Sequence, residues 1–255
     1  MKVHILVEDT RNSPEFEAEH GLSIYFEKDG KKFLFDLGQS DKYLKNAKKL
    51  NLNLKNVDFL AFSHGHYDHT GGLPYFHGGK VKALAHSYCL FPKFDGKRYI
   101  GFPKEIGNNL IELKDKPTKM SKNVYFLGQV PGKRHSALGE YIKEGVRHKD
   151  FLLDDTGIAI ANGDNLIVLS GCAHSGIVNI VKQARSLFKQ NKIVIIGGFH
   201  MLTHSEDETN RIIEELKKIN VVKVYPGHCT GKKAIKKLLE AFEGERLFSG
   251  KVIEV

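Results

Sequence analysis

The alternation of apolar and polar residues predicts strands in the first part of the chain. Leu22, Ile24 and Phe26 are separated by single residues, as in a half-buried strand, and a second strand over 32–36 follows after a turn. The segment 57–63 (VDFLAFS) is a nearly continuous apolar run, which is typical of a strand covered on both faces. The N-terminal segment MKVHILVEDT is too short for a signal peptide, and we interpret it as the first strand.

Helical spacing dominates the second half of the chain. Apolar stripes with a 3.6-residue period predict helices over 177–188, 205–219 and 234–242, and Ser205 with Glu208 forms a capping-box motif. A further helix is predicted at 43–50, and further strands at 81–85, 124–127, 157–161, 166–170, 193–196 and 221–225. This order predicts an α/β protein with one domain over 1–255 and an irregular insertion around 86–123, where three Pro interrupt the pattern.

Composition narrows the class of protein. Of 255 residues, 41% are hydrophobic and 27% charged, which is typical of a soluble globular protein. No apolar stretch approaches the ~20 residues of a membrane span. The three cysteines form no CxxC pair, so we expect no disulfide framework and a cytoplasmic location. Abundant Lys and Glu with only four Gln favour a thermophile weakly.

The net charge of +9 favours an anionic partner. Because the lysines are scattered along predicted helix faces, a solvated surface explains most of them. We therefore expect a small anionic substrate rather than nucleic acid or a membrane, and the sequence leaves open a homodimer.

One segment, 63–72 (SHGHYDHTGG), carries the strongest chemical signal. It places His64, His66, Asp68 and His69 within six residues, directly after the apolar run that predicts a buried strand. The ends of such strands are where α/β layers place their sites. Four nitrogen and oxygen ligands in one loop exceed what a single tetrahedral ion takes from so short a piece, so two neighbouring metal ions are indicated. A His-rich surface loop, the alternative, would not be expected to abut a buried strand.

The string HxHxDH followed by Gly-Gly resembles the signature of the metallo-β-lactamase superfamily. Asp36 in FDLG, Cys172 and His174 in GCAH, and His228 in PGH match further superfamily positions in chain order. The resemblance covers nearly the whole chain and implies a four-layer αββα sandwich with a metal site at one edge. The strings EHGLS, GCAHSGIVNI, GGFH and PGHCTG also resemble the branch that includes dihydropterin-ribofuranosylaminobenzene-phosphate synthase, in which many members are known only as metal-dependent hydrolases.

The resemblance implies a ligand set by position. His64, His66 and His174 would bind one ion, and Asp68, His69 and His228 a second, with Asp36 orienting the metal-binding loop from outside the ligand set. The ions would be Zn²⁺, one or two, with Mn²⁺, Fe²⁺ or Mg²⁺ as alternatives.

The sequence departs from the superfamily pattern at Cys172, which stands where many hydrolases have a bridging aspartate. A thiolate binds or bridges Zn²⁺ well. The alternative is a buried thiol that leaves the bridge to water. The departure places the occupancy of the second ion in question, and not the existence of the site.

Weaker candidates lie elsewhere in the sequence. His200 is either a proton donor or oxyanion-stabilising group, or a loop residue that caps a strand. Glu19 and His20 either reach the site or form a surface turn, and the side chain of Cys229 is expected to point away from it. Asp155 fits a strand cap. Other residues are a phosphate-binding candidate (Lys133, Arg134) or solvent and packing histidines (His77, His86, His135, His148, His204).

The favoured function is hydrolysis of an anionic ester, thioester or phosphoester by a metal-activated hydroxide, which Asp68 would steer while His200 stabilises charge. The alternatives are a pterin-diphosphate-dependent transferase of the synthase type and a nucleic-acid-processing nuclease. A di-iron oxygen reductase is least favoured, because that branch normally carries a flavin domain.

Overall fold

The computed structural model describes residues 1–78, 81–103, 111–132 and 137–255. The phosphate-binding candidates Lys133 and Arg134, together with His135, lie outside these ranges. Within them no helix combines the length and apolar character that crossing a bilayer requires.

Most of the described elements are short strands. They are β1 (Lys2–Val7), β2 (Ser23–Lys28), β3 (Lys31–Phe35), β4 (Phe59–Ala61), β5 (Lys82–Ala85), β6 (Lys93–Asp95), β7 (Arg98–Tyr99), β8 (Ile111–Leu113), β9 (Thr118–Ser121), β10 (Val124–Phe126), β11 (Glu140–Lys143), β12 (Val146–Lys149), β13 (Gly157–Asn162), β14 (Asn165–Ser170), β15 (Lys192–Gly198), β16 (Val221–Gly227), β17 (Glu243–Gly244) and β18 (Val252–Glu254). The α-helices are α1 (Lys42–Lys49), α2 (Tyr67–Thr70), α3 (Ile177–Leu187), α4 (Glu206–Lys218) and α5 (Lys232–Ala241).

The strands form two large sheets and one small sheet. The first sheet has the order β18-β1-β2-β3-β4-β5-β8, and its strands β3, β4, β5 and β8 run parallel. The second has the order β17-β16-β15-β14-β13-β10-β9, and β14 to β17 run parallel. The small sheet, β12-β11-β6-β7, is antiparallel throughout.

Three apolar clusters define the layers. The central cluster joins the facing sides of the two large sheets, with Phe26 and Phe35 from the first against Ile160 and Ile196 from the second. A second cluster packs α3, α4 and α5 on the outer face of the second sheet, and a third packs α1 on the outer face of the first. The layers are therefore helix, sheet, sheet, helix, which confirms the expected αββα sandwich.

The predicted helices and most strands are confirmed, including the capping box, in which the Ser205 side chain accepts from the Glu208 N–H. The expectation that Leu22 to Phe26 is half-buried was wrong. All five residues are buried, because the central core covers one side of the strand and the α1 layer covers the other.

Two further expectations about elements need correction. The strand predicted over 57–63 is regular only at Phe59–Ala61, because the chain enters it from the 3₁₀ turn Leu54–Asn56 and turns away after Phe62. The segment 86–123 was expected to be irregular, yet it includes β6, β7, β8 and β9. Strands of two to four residues are too short for apolar periodicity to indicate them.

Candidate metal centre

Parallel strands of both large sheets end at one edge of the sandwich. Asp36 follows β3, Ser63 and His64 follow β4, and Cys172 follows β14 by two residues. His200 and His228 follow β15 and β16. Carboxyl ends of parallel strands meet at the same edge of a sheet, so the topology gathers residues that are far apart in sequence.

The backbone at this edge is conformationally unusual. Asp36, Ala173, His200 and His228 all have positive φ, between 47° and 59°. Non-glycine residues rarely adopt this left-handed conformation, and it clusters at functional sites. Here it turns the chain sharply just beyond the strand ends.

Two groups of side chains meet at this edge. We call His64, His66 and His174 the imidazole half, and Asp68, His69 and His228 the carboxylate half. The resemblance to the superfamily implied the same division of these residues between two metal ions.

In the carboxylate half, the Nε2 atoms of His69 and His228 lie 3.2 Å apart. Asp68 Oδ2 lies 3.4 Å from His228 Nε2 and 3.6 Å from His69 Nε2. Ligand atoms held tetrahedrally about 2.1 Å from a zinc ion lie about 3.4 Å from one another. The spacing in this half is therefore that of ligands around one ion.

In the imidazole half, His64 Nε2 lies 3.1 Å from His66 Nδ1. The ring of His174 packs 4.9 Å from the ring of His64 and 5.6 Å from that of His66. Both ring nitrogens of His174 and the Nε2 atom of His66 are shielded from solvent and have no hydrogen-bond partner. Buried polar atoms without partners are costly, and a cation bound through one nitrogen of the His174 ring would satisfy one of them.

Cys172 lies between the two halves. Its Sγ atom is 3.2 Å from His69 Nε2. Cys172 belongs to two groups of three residues whose ligand atoms all lie within 4.8 Å of one another. One group is His64, Cys172 and His174, and the other is His69, Cys172 and His228. Burial raises the pKa of the Cys172 thiol well above its usual range. The position is that of a residue able to reach a metal ion in either half.

We call residues 63–69, which carry four candidate ligands, the metal loop. Asp36 bonds to it from inside the protein. Its buried carboxylate accepts the His69 Nδ1–H at 2.7 Å through Oδ2 and the Ser63 N–H at 2.7 Å through Oδ1. The first contact leaves His69 Nε2 facing the site as an acceptor. This is the outer position that the sequence predicted for Asp36.

Two residues at the site were missed or left open by the sequence. Asp9, which no sequence motif indicates, lies 2.7 Å from His228 Nδ1 through Oδ1 and 3.0 Å from His20 Nδ1 through Oδ2. His20 Nε2 lies 3.4 Å from Asp68 Oδ2, so His20 reaches the site, whereas Glu19 binds the backbone N–H groups of Gln39 and Ser40. The only signal for Asp9 is a carboxylate two residues after a buried strand.

His200 and Cys229 lie beside the imidazole half. The ring of His200 packs 4.2 Å from that of His174, and its Nδ1 atom is buried without a hydrogen-bond partner. The Cys229 Sγ atom accepts the His200 N–H at 3.3 Å and donates to the Cys172 carbonyl at 3.4 Å. The expectation that Cys229 points away was therefore wrong, because the positive φ of His228 turns the next side chain inward.

The two halves differ in charge. Burial, reinforced by neighbouring imidazoles, lowers the pKa of His64 and His174 well below the usual range, and burial lowers that of His66 to about 4. Burial would raise the pKa of Asp68, but His69 and His228 lower it below its ordinary value. The imidazole half thus holds neutral rings. The carboxylate half pairs the Asp68 carboxylate with His228, whose pKa is raised well above its usual range because Cys229, Asp68 and Asp9 outweigh the effect of burial.

An open cavity of about 490 Å³ gives access to the cluster. Its polar lining includes Asp68, His174 and His200, and its apolar lining includes Ile100, Leu138 and Leu202. Leu202 is 72% exposed and forms the lip. A small molecule can therefore place a polar group against the imidazoles and an apolar group against this wall.

The fold and the site together define a metallo-β-lactamase-type sandwich with a candidate metal centre at its edge. The family model for the metallo-β-lactamase superfamily matches residues 17–228. The chain belongs to this superfamily.

Two relatives come from Methanocaldococcus jannaschii. One is an uncharacterized protein, 36% identical over 246 residues that cover 92% of this chain and 93% of that protein. The other is 7,8-dihydropterin-6-methyl-4-(β-D-ribofuranosyl)-aminobenzene-5'-phosphate synthase, 32% identical over an alignment that covers 100% of this chain and 96% of the synthase. The chain is thus similar over its length to an enzyme of the branch that the sequence strings resemble.

Among solved structures, Tm1679, described as a metal-dependent hydrolase of the β-lactamase superfamily, superposes with a TM-score of 0.87 at 32% identity. The match covers 100% of this chain and 99% of that one. Zn²⁺-bound PqqB from Methylobacterium extorquens, at 11% identity and a TM-score of 0.57 over the full length of both chains, shares the fold.

Proposed function

We propose that this chain is a metal-dependent hydrolase that acts on a small anionic ester, thioester or phosphoester. The observation that carries the proposal is the set of buried ring nitrogens without partners on His66 and His174, next to the ligand-like spacing of the carboxylate half. Nitrogen, carboxylate and thiol donors in this combination suit Zn²⁺. The net charge of +9 supports an anionic substrate.

Divalent ions bound here would lower the pKa of water and polarise the scissile bond. The chain supplies the remaining functions. The Asp68 carboxylate accepts hydrogen bonds at the centre of the cluster and can hold the proton of an attacking water. His200, whose Nδ1 is unpartnered, can donate to an oxygen on which negative charge develops. The Ile100 and Leu138 wall excludes water from one side of the substrate.

A second candidate function is transfer rather than hydrolysis. The similarity to the M. jannaschii synthase extends over 100% of this chain, and the same αββα scaffold serves both reactions. In that case an aminobenzene acceptor takes the place of water, and a pterin diphosphate loses its diphosphate group. The acceptor would lie against the apolar wall.

The test begins with metal analysis of the purified protein and of a His174→Ala variant. The metal-loaded protein is then assayed on phosphodiester, thioester and lactone substrates, and separately on a pterin diphosphate with an aminobenzene acceptor. We expect hydrolysis of at least one substrate class by the wild type and none by the variant. Condensation without any hydrolysis would establish the transferase instead, and activity that survives without metal would contradict both functions.

A further inference from the structure

A buried charged network lies beneath the metal loop and takes no part in the ligand set. Lys93 Nζ lies 2.6 Å from Asp150 Oδ2 and 3.1 Å from Asp154 Oδ1. The three residues are 1%, 2% and 0% exposed, respectively. Lys93 belongs to β6 of the small sheet, whereas Asp154 lies just before β13 of the second large sheet.

The network bonds directly to the loop between two candidate ligands. Asp154 Oδ2 accepts the backbone N–H of Gly65 at 2.7 Å, and Gly65 separates His64 from His66. A Cβ atom at Gly65 would lie 2.2 Å from the Cys89 carbonyl oxygen and 2.9 Å from Lys93 Cε. The chain therefore passes so close to the Cys89 backbone and the Lys93 side chain that only glycine fits.

A second contact holds the same loop to the small sheet. The Tyr67 N–H donates to the Ile100 carbonyl at 3.0 Å, and the Ile100 N–H donates to the Lys93 carbonyl at 2.9 Å. The loop that carries His64 and His66 is thus anchored on both sides of His66, and both anchors lead back to Lys93.

Stability alone gives a weak reason for this arrangement. Taking charges out of water is expensive, and replacing a buried ion pair by well-packed neutral residues is often neutral or stabilising. Two aspartates against one lysine also leave a net negative charge, which the N–H groups of Gly65 and Leu152 compensate by hydrogen bonding. A carboxylate at 154 is the group that meets Gly65 and Lys93 at once, one oxygen for each.

We propose that Lys93, Asp150 and Asp154 form a positioning network, in which Asp154 fixes the Gly65 N–H and thereby aims the imidazoles of His64 and His66 into the metal centre. This inference rests on the metal centre proposed above. Neither Asp154 nor Lys93 would contact the ions or the substrate. Their effect would pass through the backbone of the loop.

The test uses a matched pair of variants in a neutral background. The background is the double variant Lys93→Met/Asp150→Asn, and a third substitution is added to it at residue 154. Asp154→Asn keeps an oxygen that can accept from the Gly65 N–H, whereas Asp154→Leu has a similar size but no acceptor. The affinity of each for Zn²⁺ is measured by competition with a chromophoric chelator, and the melting temperature is recorded alongside. Asn46→Ala, which removes buried hydrogen bonds to Leu6 and Glu17 in the α1 layer, serves as a stability control.

We expect the Asn member to bind Zn²⁺ within about threefold of the wild type and the Leu member about 10- to 100-fold more weakly, as for other outer partners of metal ligands. Asn46→Ala should lower the melting temperature without changing the affinity. The single variant Asp154→Asn, which can satisfy only one of Gly65 and Lys93, should be weaker than wild type even if the Leu member fails to fold. Wild-type affinity in that single variant, or equal affinities in the matched pair, would overturn the inference but not the metal centre. A wild-type protein that binds no Zn²⁺ would overturn the metal centre and the inference together.

Discussion

The two halves of the candidate metal centre present equivalent ligand numbers but are held in different ways. In the carboxylate half, Asp36 and Asp9 bond directly to the Nδ1 atoms of His69 and His228. The orientation of each imidazole is therefore fixed by a hydrogen bond to the ring itself. In the imidazole half, no carboxylate bonds to a ring of His66 or His174 among the described contacts, and the backbone between His64 and His66 is held instead.

A metal ligand can thus be held in place either by a carboxylate bonded to its ring or by hydrogen bonds to the backbone beside it. Carboxylate partners fix ring orientation and add negative charge, which strengthens the ligand as a donor. Backbone anchoring fixes position without adding charge near the ion. A substitution that acts on one half only should therefore lower the binding affinity for the ion of that half and leave the affinity for the other ion unchanged.

The largest expected effect comes from removing one imidazole from each half. The His174→Ala and His228→Ala proteins should each bind one ion fewer than the wild type and have only background activity. Each substitution removes one ligand and disturbs the buried ligands around it. Metal content by mass spectrometry of the native protein checks the count. Two ions retained in both variants would contradict the assignment of these residues.

Cys172 tests whether the halves share a ligand. Cys172→Ala should lose the ion of the carboxylate half more readily than the other, while Cys172→Asp should keep two ions with altered preference toward harder metals. Alkylation of Cys172 followed by mass spectrometry should show protection with metal and reaction after chelation. Rapid alkylation of the metal-loaded protein would show that the sulfur is not a ligand.

Outer carboxylates should have intermediate effects confined to one half. Asp36→Asn and Asp9→Asn should each weaken binding of one ion about 10- to 100-fold while the protein stays folded. Asp58→Asn, which removes a surface partner of Lys31 far from the site, is the control and should leave both affinities unchanged. Equal weakening of both ions would show that the halves are not independent.

The smallest effect is expected at Cys229. Cys229→Ser keeps an acceptor for the His200 N–H, so activity should change by less than about fivefold, the value of one ordinary hydrogen bond. The change in activity is measured by steady-state kinetics on Cys229→Ser protein that contains as much metal as the wild type. Loss of activity comparable to that of His174→Ala would make the thiol itself part of the chemistry.

The periods of the longer strands and of the amphipathic helices predicted an α/β protein, and the resemblance to the metallo-β-lactamase superfamily supplied the αββα layers. The sequence also predicted the cluster, because His64, His66, Asp68 and His69 lie in one short loop and the strand-end positions of Cys172, His174 and His228 match the superfamily. Asp36 was found in the same way, through its place in FDLG.

The missed residues act through contacts that no local pattern encodes. Asp9 meets His228 across 219 positions of sequence, and Lys93 meets Asp154 across 61. A lone lysine in a short strand gives no sign that it is buried, since its burial depends on the partners Asp150 and Asp154 in the loop between β12 and β13. Cys229 was placed wrongly because side-chain alternation assumes extended backbone, which the positive φ of His228 breaks.

The central claim is that two ions occupy two differently supported halves of one centre. Anomalous diffraction from crystals grown with excess Zn²⁺ tests it most directly. The account predicts two peaks, one within about 2.3 Å of ligand atoms from His64, His66 and His174, and one equally close to Asp68, His69 and His228. A single peak, or no peak at these two places, would contradict it.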